Sequence, residues 1–565
     1  MTSLALFFAS LTTLTFLPLL GAGIVGLMRF VLPDSKVLAR YVALAFALVT
    51  LAQAIFIFYL YSTGQCPPGN LPANPAPSGS PFVFQCESQS PFFPLVYSNW
   101  HVGIDGLSAA MVLLTGLLTP LALLISFEVD ENVHAHMALF LFLEMGLLGV
   151  FVSLDLLFFF IFWEIGLVPM YFLINLWGGE NRKYASMKFF LYTMGGSLGL
   201  LLAIQLITSS VHTMDIPSLL ALWPANKAFA LDPNGAVTTT LTGLALPFGM
   251  SIATVKAVAF LAFFVAFAIK VPIWPFHTWL PDAHTEAPTA GSMLLAGVLL
   301  KLGAYGFLRL VIPLFPAEAQ SFAPVMGILA VAGIILGAFA AWGQNDFKKL
   351  VAYSSVNHMG FVVLGIAAFA GVYNSLLTAT GTAFGSNHDA VVASVTMATN
   401  GAVLQMFNHG LSSAGMFLLV GALYHKAHTR DLTKFGGLWT LAPIYGGLLV
   451  FTSMASLGLP GLNGFVSEFQ VVAGTWGMYV ASRIYALFVA LSMIGLLMTG
   501  AYILKGIRAV LHGPVNEHWR GHHLEIEVRE VIALAPLAAL MLVTGIWPNW
   551  ILPVINQTVS RLFGA

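Results

Sequence analysis

The sequence is poor in charge and nearly empty of cysteine. Of 565 residues, 8% are Asp, Glu, Lys or Arg, and two are cysteines, Cys66 and Cys86. A soluble domain carries about 25% charged residues, so this chain could not keep its surface wet. Two thiols are too few for an iron–sulfur cluster, a haem-attachment motif or a cysteine-ligated zinc made by this chain alone. There is no GxGxxG and no P-loop, and hence no motif for a nucleotide. A formal net charge of −1 offers no basic field to nucleic acid.

What the chain does have is hydrocarbon. It is 58% hydrophobic with a mean hydropathy of +0.88. That implies an all-α polytopic membrane protein embedded in a lipid bilayer, because a spanning helix satisfies its own backbone. No basic region precedes the first apolar run and no A-x-A site follows it. The run to about Leu27 therefore reads as a span and not as a cleaved signal.

Apolar windows of roughly 20 residues predict about fourteen helices. They fall near 3–28, 40–62, 105–127, 136–153, 156–177, 186–208, 251–279, 288–312, 321–342, 349–370, 398–424, 440–476, 484–506 and 530–555. The stretches 63–100, 209–250 and 371–390, rich in polar and turn residues, read as aqueous loops. The expected organisation has five parts. Residues 1–104 hold helices 1 and 2 with the loop 63–100, and 105–279 form a first half. Helix 8 and its connection occupy 280–320, a second half covers 321–510, and a connector with the last helix covers 511–565.

Basic residues orient this layout. Fifteen of the 22 fall in odd-numbered loops, among them Arg29, Lys36, Arg182, Lys348, Arg430, Lys505 and Arg529. Four fall on the other side: Lys227, Arg309, Arg483 and Arg561. By the positive-inside rule the odd loops are cytoplasmic and both termini face outside. The loop 63–100 then also faces outside. There Cys66 and Cys86 either form a disulfide or stay as two thiols.

The informative residues are charges at membrane depth, each costly unless paired, hydrated or neutralised. Glu164 sits in "FFFIFWEIGLVPMYFLI" and Glu144 in "LFLFLEMGLLG". Lys270 follows thirteen apolar residues and precedes Pro272 and Pro275. Those prolines free upstream carbonyls, and irregular backbone at that depth is tolerated only around a protein-lined or wet cavity. A second break, "SLGLPGLNGFVSEFQ", precedes Glu468. One broken helix in each half suggests an inverted repeat. Lys301 lies mid-helix, and His358 and His409 lie in "YSSVNHMGFVVLG" and "QMFNHGLSSAGMF". Structural ion pairs, a snorkelling lysine and packed histidines are the competing readings. Acids, lysines and histidines on successive helices favour a proton relay, since moving one partner shifts the other's proton affinity. Metal is the weaker reading: neither His277 with His284 nor the group His512, His518, His522 and His523 has a ligand spacing.

The runs "FWEIGLVPMYFLI", "KVPIWPFHTWLPDAHTEAPTAGSMLLAGVLLKLGAYGFLR", "AYSSVNHMGF", "NHGLSSAGMFLL" and "LGLPGLNGFVSEF" resemble the antiporter-like membrane subunits of respiratory NADH:quinone oxidoreductase (complex I). The resemblance runs from about residue 105 onward and is nearest the M type, the mitochondrial subunit-4 type. It implies fourteen helices, two inverted five-helix repeats and broken helices 7 and 12. It also implies a glutamate on helix 5 (Glu164) partnered by a lysine on helix 7 (Lys270), a central lysine (Lys301), and relay histidines (His358, His409). Where the L and N types carry lysine on helix 12, this chain has Glu468, as the M type does. The chain stops soon after helix 14, without the long lateral helix of the L type. The resemblance further implies no cofactor on this chain, with flavin, iron–sulfur clusters, NADH and quinone on partner subunits. It implies L- and N-type neighbours and a bacterial cytoplasmic membrane. The loop 63–100 lies outside the motif set. Relatives of this fold in photosynthetic-type complexes, multi-subunit Na+/H+ antiporters and membrane hydrogenases are the alternatives.

Overall fold

In hydrocarbon each backbone amide and carbonyl needs an internal partner, so long apolar runs become helices end to end. The computed structural model describes residues 7–67, 82–229, 238–240, 249–378 and 383–563. Thirteen helices in it are long and apolar enough to cross a membrane. Helices 1 to 6 are Leu11–Val31, Lys36–Thr63, Gly106–Glu128, Val133–Val152, Leu156–Trp177 and Arg182–Val211. Helices 7 to 11 are Ile252–Lys270, Thr289–Leu314, Pro316–Trp342, Phe347–Thr378 and Gly385–Ala427. Helices 13 and 14 are Ile484–Leu511 and Val528–Ile546. Helix 12 is two shorter pieces, Pro443–Leu457 and Asn463–Gly477.

Helices 4–8 and 9–13 form two sets of five, and the fourth member of each is broken. An odd number of spans leaves the second set inverted relative to the first. Helix 7 stops at Lys270 and resumes at Trp279–Glu286, with the Trp279 indole donating to the Ile269 carbonyl at 2.9 Å. Helix 12 breaks at Gly458 and Gly461, whose φ angles of +84° and +93° suit glycine. Asn408 and Asn463 clasp this break to helix 11, each amide donating to the other's backbone carbonyl at 2.8 and 3.1 Å.

Helix 8 is the axis. All of its apolar window is buried, against a third in helices 1, 2 and 14. It reaches that depth through glycine. A Cβ on Gly303 would stand 2.8 Å from the Phe267 carbonyl and 2.9 Å from the Val271 amide, and Gly297 faces Gly410 of helix 11 in the same way. π-helical turns at Leu295–Leu299 and Phe307–Val311 flank the Lys301 segment.

Four boundaries differ from the sequence reading. The long helix 1 begins at Leu11, and residues 3–6 of the expected span lie outside the described residues. The apolar run 530–555 is two helices, Val528–Ile546 and Leu552–Leu562, because Pro548 cannot donate and forces its predecessor out of helix. Thr558 of the second piece accepts from the Gly106 amide at 2.8 Å and lies 3.3 Å from the Tyr61 hydroxyl. Within the expected loop 209–250, Asp215 caps a buried helix, Ile216–Leu222. In the expected loop 371–390, helix 10 continues to Thr378.

The loop 63–100 contains structure. Strand β1 (Gln85–Phe93) pairs antiparallel with β2 (Ser98–Ile104), and Cys66 is disulfide-bonded to Cys86. The hairpin is moored by His101, whose Nδ1 lies 2.6 Å from Asp215 and Nε2 2.7 Å from Glu87. Burial alone would lower the imidazole's proton affinity. The hydrogen bonds and charges of Asp215 and Glu87 outweigh it and carry the ring up to about 9 from its ordinary 6.5.

Two expectations follow from this packing. Gly303→Ala forces helices 7 and 8 apart and lowers stability by about 1–3 kcal/mol. Gly23→Ala, where nothing lies within 4 Å, serves as the tolerant control in detergent thermal melts. For His101 the folded-state affinity is the higher one. Its stabilisation, at most about 3 kcal/mol, is complete below pH 6.5 and fades as pH rises through about 9. Amide exchange across 85–104 should therefore quicken between pH 7 and 10 beyond the intrinsic base-catalysed rise, and His101→Gln should remove the excess.

Candidate functional site

Every charged candidate at membrane depth lies in or beside the bundle interior. Lys301 is fully buried on helix 8, which rules out a snorkelling ammonium. Its Nζ lies 2.8 Å from His409 Nδ1 on helix 11 and donates to the Ala296 carbonyl. The close approach at Gly297 and Gly410 brings the two helices to this distance. The other nitrogen of His409 lies 3.2 Å from the Ser355 hydroxyl on helix 10.

One turn along helix 10, the His358 ring is centred 5.6 Å from that of His409. His358 Nδ1 lies 2.7 Å from Glu468 Oε1 on the second piece of helix 12. Its Nε2 lies 3.2 Å from Ser456 and 3.3 Å from Tyr502. Gln405 donates to the same Glu468 oxygen at 2.8 Å and accepts from Ser467 at 2.5 Å. Lys301, His409, His358 and Glu468 thus form one polar line through the second half. Each imidazole has one nitrogen on a charged end of the line, Lys301 or Glu468, and the other on hydroxyls.

The first half is looser. The Lys270 ammonium sits 5.0 Å from the centre of the Trp163 ring. Glu164, the next residue, is the carboxylate whose charge bears on it. No ion pair within 4.0 Å joins the two among the described residues. Glu164 is only partly buried, and Ile161 and Val168 on the same side of helix 5 are exposed. Glu144 is fully buried on helix 4 beside Thr119, and neither of its oxygens has a hydrogen-bond partner among the described residues.

Several members of the site escaped the sequence reading. Gln405, Asn408, Ser412 and Ser413 lie with His409 on one helical stripe, a spacing of three and four that was visible in "QMFNHGLSS". His284 is fully buried and stacks on Phe417 at 4.4 Å, within range of the charges of Lys348 and Lys301. Lys348, counted above as a loop residue, is buried and donates to the Ala287 carbonyl at 2.6 Å. Beside it a cavity of about 460 Å3 opens at the basic-loop end, lined by Asn181, Glu286, Asp346, His428 and Arg430. His277 lies against Tyr353 and not with His284. Among the described residues no group of three or more His, Cys, Asp or Glu is placed to hold a metal ion.

With this geometry in hand, the comparisons with known proteins become specific. The family described as NADH:quinone oxidoreductase/Mrp antiporter, TM, matches residues 153–386 and 389–495. NADH-quinone oxidoreductase subunit M of Rhodobacter capsulatus is 37% identical over 554 residues, covering 98% of this chain and 96% of the relative. The subunit M of Escherichia coli K12 is 37% identical over 487 residues, 85% of each chain. A chain of respiratory complex I from Thermus thermophilus with bound NADH superposes with a TM-score of 0.72 at 26% identity, covering 98% of this chain and all of that one. A chain of the Mrp complex from Dietzia superposes with a TM-score of 0.73 at 18% identity over 98% of both, a likeness of fold. The chain belongs to the family of membrane subunits shared by NADH:quinone oxidoreductase and the Mrp antiporter.

Proposed function

We propose that the chain is the M-type, proton-translocating membrane subunit of a respiratory NADH:quinone oxidoreductase. The observation that carries this reading is the line Lys301–His409–His358–Glu468. A proton leaves Lys301 Nζ for His409 Nδ1, and His409 releases one from Nε2 toward Ser355. Water between the two rings, whose centres are 5.6 Å apart, would carry the proton from Ser355 to Ser456 or Tyr502, from which His358 takes it on Nε2 and passes one from Nδ1 to Glu468. An imidazole that accepts on one nitrogen and donates from the other moves charge without moving itself.

Reloading comes from the basic end, taken as cytoplasmic under the positive-inside rule. The cavity at Glu286 and Arg430, then Lys348 and His284, supply the approach to Lys301. Glu468 serves the outward side, and both termini face outside the bacterial cytoplasmic membrane.

Glu164 and Lys270 form the trigger. A positive charge brought to the exposed side of helix 5 by an L- or N-type neighbour draws on Glu164. Lys270 then loses the field that keeps it protonated and gives its proton toward Lys301. Glu144, buried beside Thr119, is a reserve carboxyl on the adjacent helix. The chain has two cysteines and no nucleotide motif. The flavin, iron–sulfur clusters, NADH and quinone are therefore assigned to partner subunits, with coupling along the membrane.

Purification through a tag on this chain should bring down flavin and iron–sulfur subunits with NADH-driven quinone reduction. Small membrane partners without that activity would instead favour a multi-subunit Na+/H+ antiporter or a membrane hydrogenase. In the assembled complex, Lys301→Ala, Glu468→Gln, Lys270→Ala and Glu164→Gln should each cut proton pumping and coupled quinone reduction by about tenfold or more. Undiminished pumping in Lys301→Ala and Glu468→Gln, measured with a pH-sensitive dye in vesicles, would sink the relay.

A further inference from the structure

Beyond Lys301, helix 8 carries polar residues that the relay does not use. Lys301, Tyr305 and Arg309 are spaced four apart, so they share one face, about 12 Å from first to last. Arg309, near the end of the expected span 288–312, was counted with the basic residues of the outer side. It is instead fully buried, with Nη2 2.6 Å from Asp105 Oδ1 and 3.4 Å from the Ser108 hydroxyl. Its Nε donates to the Tyr305 hydroxyl at 3.1 Å, and that hydroxyl donates to the Phe151 carbonyl at 3.1 Å. Tyr305 and Ser108 hydroxyls lie 3.0 Å apart. Hydroxyls and a carboxylate thus run from near the central lysine to the end of the bundle where β2 enters helix 3, with the guanidinium set between them.

Such a stripe is what a proton wire needs, and here it would lead away from the His409–Glu468 line. A guanidinium interrupts it. It has five donors and no acceptor and does not deprotonate in proteins, and the hydroxyls of Ser108 and Tyr305, which alone could carry a proton past it, each accept from it.

The loop outside the motif set supplies the roof. The rings of Phe82 and Phe84 cover Arg309 at 4.2 and 4.9 Å, and Tyr305 lies at 5.3 Å. Both phenylalanines lie within four residues of Cys86, which the disulfide ties to Cys66 just past helix 2.

We propose that Arg309, fixed by Asp105 and roofed by the disulfide-tethered Phe82 and Phe84, is a stop in the polar stripe of helix 8, barring protons from passing between the hairpin end and Lys301. The proposal rests on the proton-pumping reading for its purpose, but its test needs no turnover.

The test uses the assembled complex in sealed proteoliposomes. An imposed pH gradient is followed without NADH, and NADH-driven pumping by the wild type is recorded separately as the check on the pumping reading. Arg309→Lys keeps the cation but can give up its proton when buried, so it should leak more than wild type and less than Arg309→His. Arg309→His supplies an acceptor and should speed its decay by about tenfold or more, while melting no lower than Arg309→Lys. A purely structural role predicts parallel effects of the two. An Arg309→His complex that assembles and holds the gradient like wild type overturns the proposal.

If that variant fails to assemble, the wild-type complex decides. A membrane-impermeant phosphine on the hairpin side reduces the disulfide to two thiols and ends as the phosphine oxide. Reduction should raise the leak in wild type and leave a Cys66→Ser/Cys86→Ser complex unchanged. Complete reduction with no added leak overturns the proposal.

Discussion

An ammonium inside hydrocarbon has nowhere to go but to another polar group, and the rest of this structure follows from giving Lys301 one. Helix 8 has no lipid-facing side, so the usual escape of a long cationic side chain to the interface is closed. Its neighbours must come close enough to offer nitrogen and oxygen in place of water. Glycines at 297, 303 and 410 remove the side chains that would keep them away. The polar line of the second half is the result of that forced proximity.

The broken helices serve the same end. An unbroken helix spends every backbone polar group on itself. Interrupting helices 7 and 12 frees carbonyls and turns the chain, so that Lys270 ends one piece and Glu468 rides on the other. The breaks stay ordered because they are pinned: Trp279 to Ile269 in one, Asn408 and Asn463 in the other. The two halves use them differently. The second half joins His358 directly to Glu468, whereas Lys270 rests on an indole and only feels Glu164. An ammonium held by a ring face is easier to release than one locked to a carboxylate, which suits a trigger better than a carrier.

Much of this was legible in the sequence because membrane helices announce themselves. Hydropathy finds the spans with ends that miss by up to about three turns, as at helix 11, which begins at His388 and not near 398, and prolines and glycines mark both breaks. A charge in an apolar run is conspicuous wherever it occurs. What hydropathy cannot show is which side of a helix is buried, and that hid Arg309. Near the end of an apolar run it reads as a basic residue of the outer side, and only its partner Asp105, 204 positions earlier, makes it interior. Lys348 was hidden in the same way. The hairpin was missed because its composition is that of a loop. Its order comes from long-range ties, the disulfide and the grip of Asp215 on His101, that no local pattern encodes. Helix 14 was drawn too long because Pro548 sits inside an otherwise apolar run.

The bond between Thr558 and Gly106 has a bearing on biogenesis. It joins residues 452 positions apart, and a ribosome adds about 5–20 residues each second. Helix 3 therefore enters the bilayer roughly 20 to 90 s before the hydroxyl that its first turn requires has been made. Until then the Gly106 amide and the Tyr61 hydroxyl must be served by water or lipid headgroups. The first half of the protein thus waits, inserted but unfinished, for a residue in the last stretch of the chain to close it.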